Sequence, residues 1–397
     1  MVNIVHLNLN ARGGSERLAL ATIRALKEVN DTDIDIDLTT LQKPDVHKIE
    51  GTYGKTGLMA IRNIKRVNII PSIDNVHLKK NYDLIINTHG DMFPFSQKGF
   101  SKDNSITYCH FPLAKYLIDV ENEEYSRLIY GQRLSDIDEY KKLLHSARNA
   151  YIDMIRNSTV LTNSEYSRKA IYKTFTIDSV VLSPPVDVDL FRKAVLFSST
   201  NKRDNTILVI SRFHPSKKVE NAIRLAKLLK QNGIGRSMKI VGNLSPRMVG
   251  YYSYLKQMVQ DQDLSDYVTF QVNVSFNKLL SLMCESKVYF HPLPGEPFGI
   301  STVEAMSSGL IPVVPDLGGH TEFVPSKYQF RTFIEAIESV AVAMDASFSE
   351  RIGISDSVRR FSMSNYIKRF QHIVKKLLIS TTKTNYKNIK SISPIVS

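Results

Sequence analysis

The chain has 397 residues, 43% apolar and 23% charged, with a net charge of +13. It is long enough for two domains with cores of their own, and its composition is that of a soluble globular protein, which excludes a disordered or low-complexity chain. No apolar run approaches the roughly 20 residues that span a bilayer, MVNIVHLNLN reads as a strand and not a signal peptide, and Cys109 and Cys284 lack metal-ligand spacing. A cytoplasmic protein without disulfides is expected.

In chain order, Asn3 to Leu9 reads as a strand, Ala11 to Ser15 as a turn, and Glu16 to Leu26 as an amphipathic helix with Ala19, Ile23 and Leu26 on one face. Gly13 and Gly14 let the backbone approach a bulky ligand at a helix N-terminus that favours negative charge. A plain strand-to-helix turn is the other reading, and the G-x-G-x-x-G dinucleotide fingerprint is absent. In Asp33 to Thr39, acids alternate with Ile34, Ile36 and Leu38 as in a strand with one wet face, so Asp33-Ile34-Asp35 is not expected to hold a metal. No metal is expected at Asp187-Val188-Asp189 either. Lys55 to Arg66 mixes apolar and basic residues, and fits either a first-domain helix or an amphipathic element on a membrane interface. Asp83 to Asn87, Ser105 to Cys109, Val160 to Asn163 and Ser179 to Leu182 are further strands. His89-Gly90-Asp91 and His110 follow two of them. Cys109 and His110 would point to opposite faces of a strand, which excludes a nucleophile pair.

Pro184-Pro185 breaks the pattern and Ser198 to Asn205 reads as linker. The alternation then restarts with strands at Thr206 to Ile210, Met238 to Val241, Tyr267 to Val272, Lys287 to His291 and Ile311 to Val314, and a helix at Val219 to Gln231 stopped by Gly233. Strands alternating with helices predict parallel, doubly wound sheets, whose ligands bind beyond the carboxyl ends of the strands.

Two clusters sit at such ends. In SRFHPSK, Arg212 and Lys217 leave one strand and can converge on a diphosphate, Arg as a fork and Lys as a point charge. In HPLPGEPFGISTVEAMSSG, Glu296 lies in a turn and Glu304 in a helix expected over Ser301 to Ser308, with Ser301 as N-cap and Gly309 as stop. The N–H groups of Phe298, Gly299 and Ile300 would face outward between the two acids, a set of acceptors and donors suited to a polyhydroxylated ligand.

The stretch GEPFGISTVEAMSSGLIPVVPDLGGHTEFV (295 to 324) resembles the signature of retaining glycosyltransferases of family 4: Glu296, seven residues and Glu304, then Gly318-Gly319 and Glu322. Gly13-Gly14-Ser15-Glu16-Arg17 is similar to a loop of that family near the donor phosphates and acceptor, and Arg212 with Lys217 to its phosphate-binding pair. The family often has Gly before this Arg and after this Lys, where this chain has Ser211 and Lys218. His110-Phe111-Pro112 resembles mannosyltransferases that extend dolichol-linked oligosaccharides, in which the His approaches the transferred sugar.

The resemblance implies the GT-B fold, an α/β architecture of two Rossmann-like domains facing a central cleft. The expected division is 1–197 for the acceptor side, 198–360 for nucleotide-sugar binding, a helix over 361–380 crossing back, and a basic flexible tail over 381–397. It also implies a metal-independent, retaining hexosyltransferase without a cofactor. Arg212 and Lys217 would hold the diphosphate, Glu304 the ribose, and Glu296 with the Phe298–Gly299 backbone the sugar, with His110 opposite. GDP-mannose and a polyprenyl-linked glycan are the first expectation, and a UDP-sugar such as UDP-glucose with a soluble acceptor the second. A nucleotide-sugar epimerase or an inactive sugar-binding protein of the same fold is the alternative from another class.

Charge points to a partner as well. Residues 1–190 balance at 24 basic and 24 acidic, while 359–397 carry nine basic side chains and no acid. An anionic membrane surface accounts for such a stretch, as does a solvated helix face with a disordered tail. No nucleic-acid motif accompanies the charge.

Overall fold

The computed structural model describes residues 1–11, 13–28, 34–53, 57–67, 76–77, 82–89, 95–96, 101–112, 151–197 and 203–390. It divides into two compact units, Met1–Pro185 with the segment from Ser364, and Val186–Met363.

In the first unit, β1 (Val2–Val5), β2 (Ile36–Thr40), β3 (Ile61–Arg66), β5 (Leu84–Asn87), β7 (Ser105–Tyr108), β8 (Thr159–Thr162) and β9 (Val180–Val181) form a parallel sheet ordered β3-β2-β1-β5-β7-β8-β9. The two-residue strands β4 (Val76–His77) and β6 (Phe95–Ser96) pair separately. Strands β1 and β5 are buried along their whole length, which is why they are mostly apolar on both faces, with Asn3 and Asn87 as buried polar exceptions.

Two expectations fail here. Strand β2, flanked by β1 and β3, is buried at every position, so it has no wet face. Its Asp37 is buried and accepts from the Tyr82 hydroxyl at 2.9 Å and Asn63 Nδ2 at 3.0 Å. Asp33 lies outside the described residues, and Asp35 pairs with Arg62 at 2.5 Å. Of the stretch read as a helix or membrane element, residues 55–56 lie outside the described residues, and the rest is instead a turn at Leu58–Ala60 and the edge strand β3. β-branched Ile61 and Ile64 suit a strand, and exposed Arg62, Lys65 and Arg66 guard the open edge against further pairing.

The C-terminal helix Met363–Lys390 groups with this unit through buried Tyr366, Ile367, Phe370 and Val374. Tyr366 hydrogen-bonds Thr22 at 2.8 Å, Gln371 donates to Ala25 O at 2.9 Å, and Arg369 donates to Val181 O at 2.6 Å. Residues 381–390, expected to lack fixed structure, continue the helix, and no Pro or Gly interrupts 363–390. Residues 391–397 of the expected tail lie outside the described residues.

In the second unit, β10 (Asp204–Ile210), β11 (Ser237–Gly242), β12 (Val268–Val272), β13 (Ser286–Phe290), β14 (Ile311–Pro315) and β15 (Gln329–Phe330) form a parallel sheet ordered β12-β11-β10-β13-β14-β15. The unit starts at Val186 and not at 198, because helix Val188–Phe197 buries Val188, Phe191 and Val195 and Val186 bridges Ser362. The expected linker is also shorter than read. Residues 198–202 are outside the described set, but Arg203 is buried, donating to the carbonyls of Met283 and Ser286 at 2.7 Å each and Ser308 at 2.6 Å. In both sheets chain order reverses at the centre, which places ligand sites at the carboxyl ends of the strands.

Candidate functional site

Strand β10 ends at Ile210, and Ser211–Lys218 follow as a loop closed by the 3-10 turn Pro215–Lys217. His214 caps that turn, its Nδ1 accepting from the Ser216 N–H at 3.2 Å. Lys218 holds a left-handed backbone, φ 51°, a conformation that costs a non-glycine residue on the order of 1 kcal/mol. This accounts for the glycine that relatives in the resembled family place there. Arg212 is exposed, with no carboxylate partner among the described residues. Burial, and then the charges of Arg212 and Lys217, push the His214 imidazole below its ordinary range. The loop is therefore a local positive field.

Beyond β13, left-handed Gly295 and Gly299 (φ 76° and 93°) bracket Glu296. The turn is tied to the Gly-Gly segment by backbone hydrogen bonds: the Gly295 N–H donates to Leu317 O at 2.7 Å and the Gly319 N–H to Glu296 O at 2.8 Å. Gly318 bridges Glu296 at φ 131°, and a Cβ there would stand 2.7 Å from Glu296 O. The two halves of the sequence signature thus form one backbone unit.

Glu296 Oε2 accepts from Lys217 Nζ at 2.8 Å and lies 3.6 Å from His291 Nε2. Burial alone would raise this carboxyl; Lys217 and His291 outweigh it and hold the group well below the usual carboxylate range, so it is ionised. The next helix runs over Ile300–Ser307 with Gly299 as N-cap. Ser301, expected as the cap, instead pairs with the Tyr289 hydroxyl at 2.8 Å, which also bonds His291 Nδ1 at 2.9 Å. The N–H groups of Phe298, Gly299 and Ile300 make no backbone hydrogen bond among the described residues. The Phe298 ring itself is core, packed on Phe323 and Phe361. Glu304 is buried, and both glutamates add to the upward push that burial exerts on the Tyr289 hydroxyl.

Sequence reasoning missed His291, Thr302 and His320. His320 donates from Nε2 to Pro315 O at 2.7 Å. Burial and then His291 push its pKa down to about 4, which leaves it neutral. Its Nδ1, with His291 Nε2 and Thr302 Oγ1, is a buried polar atom without a hydrogen-bond partner among the described residues. The His291 and His320 rings are 5.3 Å apart. His320 lies within the signature string and His291 four residues before it, but only the fold shows that they meet.

In the first unit, His110 is partly buried and donates from Nε2 to Thr88 O at 3.2 Å. Gly13 is the N-cap of helix Gly14–Lys27, and its N–H donates to Glu16 Oε2 at 2.5 Å. Arg212, Lys217, Glu296, Phe298, Gly299, Ile300 and Glu304 belong to the second unit; Gly13, Gly14 and His110 belong to the first.

Residues 193–346, which hold the whole Lys217–Glu296–Glu304 arrangement, match the family described as glycosyl transferases group 1. The second unit carries a glycosyl transferases group 1 domain. The chain is 28% identical over 235 residues to the GDP-Man:Man(3)GlcNAc(2)-PP-Dol alpha-1,2-mannosyltransferase of Dictyostelium discoideum, covering 55% of this chain and 46% of that protein. It is 25% identical over 305 residues to the human alpha-1,3/1,6-mannosyltransferase ALG2, covering 68% of each. The chain spans about half the length of the dolichol-linked relatives it matches, 46% and 49% for the Dictyostelium and human proteins. Among solved structures, a glycosyltransferase from Rickettsia africae ESF-5 superposes with a TM-score of 0.62 at 13% identity, covering 95% of this chain and 98% of that one. This likeness fixes the fold of the group 1 domain and its companion unit as GT-B, two parallel-sheet α/β units.

Proposed function

We propose that the chain is a retaining, metal-independent hexosyltransferase that moves mannose from GDP-mannose to a hydroxyl of a lipid-linked glycan. The observation that carries this reading is the partly buried Lys217–Glu296 pair, set between a positive loop and a helix start. The Lys217 ammonium has three donors, so it can hold Glu296 with one and a diphosphate oxygen with another, while the exposed Arg212 fork takes a second phosphate. Such a clamp stabilises charge on the departing nucleotide without an ion. Ionised Glu296 and the N–H groups of Phe298–Ile300 orient the sugar hydroxyls, and Glu304 takes the ribose. His110 is assigned to the transferred sugar, and Gly13-Gly14 to the donor, on the family resemblance alone.

Mannose, guanosine and a polyprenyl carrier are supported by the names of the relatives. Peripheral attachment to an anionic membrane rests on the basic helix Met363–Lys390; no helix among the described residues is long and apolar enough to cross a membrane. Thermal unfolding with a panel of nucleotide sugars tests the donor. GDP-mannose at 100 times its dissociation constant stabilises by about 2.7 kcal/mol. A shift with UDP-glucose and none with GDP-mannose would overturn the donor assignment.

A further inference from the structure

His6, Glu16 and His89 converge where three elements of the first unit meet: the end of β1, the first turn of helix Gly14–Lys27 and the turn after β5. One nitrogen or carboxylate oxygen from each lies within 4.8 Å of the other two.

The proton positions make this grouping informative. Thr88 Oγ1 gives its one hydrogen to Val5 O at 3.0 Å. It must therefore accept from His6 Nδ1, also at 3.0 Å, and that nitrogen carries the ring proton. His6 Nε2 is then left with a lone pair, 3.4 Å from Glu16 Oε1. A lone pair and a carboxylate oxygen repel at that separation, so the arrangement calls for a cation between them. Glu16 is anchored from the other side: Oε2 accepts from the Gly13 N–H at 2.5 Å and Oε1 from the Ser15 hydroxyl at 2.9 Å. The third member, His89 Nδ1, is buried and has no hydrogen-bond partner among the described residues, and its ring centroid is 5.0 Å from that of His6. A buried polar atom in this state calls for an explanation.

We propose that His6 Nε2, the Glu16 carboxylate and His89 Nδ1 bind a divalent first-row transition ion, with zinc as the reference metal. Ligands about 2.0–2.2 Å from a tetrahedral zinc stand roughly 3.3 Å from one another, close to the 3.4 Å between His6 Nε2 and Glu16 Oε1. His89, in a turn and less buried than the other two, closes the remaining gap by a small ring movement. Two imidazoles and one carboxylate are a borderline-soft donor set that suits zinc and its neighbours better than magnesium or calcium. The His6–Thr88 hydrogen bond is the outer contact that fixes the tautomer of a ligating histidine. Three protein ligands leave a fourth position for water. The ion ties the carboxyl ends of β1 and β5 to the Gly13-Gly14 turn, and no step of sugar transfer passes through it. The site belongs to the other unit from the Lys217–Glu296 pair and stands without the transferase reading. A second proton on His6 is the competing occupant, and the experiment separates the two.

Untagged full-length protein is stripped with a chelator and titrated with Co(II), then with Zn(II). One equivalent of Co(II) gives a visible d–d band, which zinc abolishes, and zinc raises the wild-type unfolding temperature. His89→Ala leaves no protein hydrogen bond broken at Nδ1, and Glu16→Gln keeps an acceptor for the Gly13 N–H. Each variant, with its far-ultraviolet circular dichroism unchanged, lowers metal affinity at least ~100-fold, the upper end of what loss of an outer-shell partner costs. Wild-type protein that gives neither the band nor the zinc-dependent shift overturns the proposal, as do variants that bind like wild type; either result leaves His6 paired with Glu16 through a proton.

Discussion

Glu296→Gln removes the charge from the centre of the candidate site while keeping the side chain's size. At 2.8 Å from Lys217, the lost Coulomb attraction is about 6 kcal/mol at an effective dielectric constant near 20, before any desolvation is counted. Water recovers most of it, because the Lys217 side chain is 25% exposed and can be rehydrated. The expected loss of stability at neutral pH is therefore only about 1–2 kcal/mol. The effect on turnover is larger, since a preorganised contact to the reacting sugar is lost: at least ~100-fold, or about 2.7 kcal/mol of barrier. The pH dependence has a definite sign. Folding holds this carboxyl below its ordinary 4.5, so its contribution is complete above about pH 4.5 and is lost as the pH falls toward the folded value. Wild type and variant should differ in stability at neutral pH and converge in acid. The assay is nucleoside diphosphate release at saturating donor and acceptor, with denaturant unfolding alongside. Turnover within about threefold of wild type, in a folded variant, would refute the role given to Glu296.

Other sites carry predictions of their own. His320 is held at about 4 against an ordinary 6.5, so the folded state resists protonation and its contribution is complete above about pH 6.5 and lost as the pH falls toward 4. Lowering the pH from about 7 to about 5 should cost wild type on the order of 2 kcal/mol more than His320→Gln, read by urea unfolding at both values. Gly318→Ala drives a Cβ to 2.7 Å from Glu296 O and 2.9 Å from Glu296 N. It should cost about 2–4 kcal/mol and weaken donor binding, checked by thermal shift and titration. Arg203→Met leaves three buried carbonyls without their donor and should cost about 3 kcal/mol in denaturant unfolding. Truncation after Ser380 removes Lys383, Lys387 and Lys390; at about 1 kcal/mol each, binding to vesicles rich in phosphatidylserine should weaken up to ~100-fold in co-sedimentation.

The central strands were legible because parallel strands covered on both faces are short apolar runs, as in DLIIN and TILVI. The edge strand Ile61–Arg66 was not, since its exposed charges share the composition of an amphipathic helix and only its pairing with β2 distinguishes them. Arg203 looked like linker because its three carbonyl partners lie 80, 83 and 105 residues away. The same limit applies to the site. Glu296, Arg212 and Lys217 could be proposed from strand-end position and resemblance, but the contact between Lys217 and Glu296 spans 79 residues. The meeting of His291 with His320 follows from the backbone tie between Gly318 and Glu296, which no local periodicity encodes. Conversely, the Gly13-Gly14 turn read as a ligand cradle, whereas its first N–H is spent on Glu16.

Acceptor-dependent transfer is the most direct measurement of the proposed activity. Purified protein is incubated with GDP-mannose, with and without a polyprenyl-diphosphate-linked oligosaccharide, and both GDP and the glycan product are followed. The prediction is GDP release only when acceptor is present, with one mannose added in the α configuration carried by the donor. A product of opposite configuration would contradict retention, while isomerisation of the donor without acceptor, or no turnover with any nucleotide sugar, would contradict transfer itself.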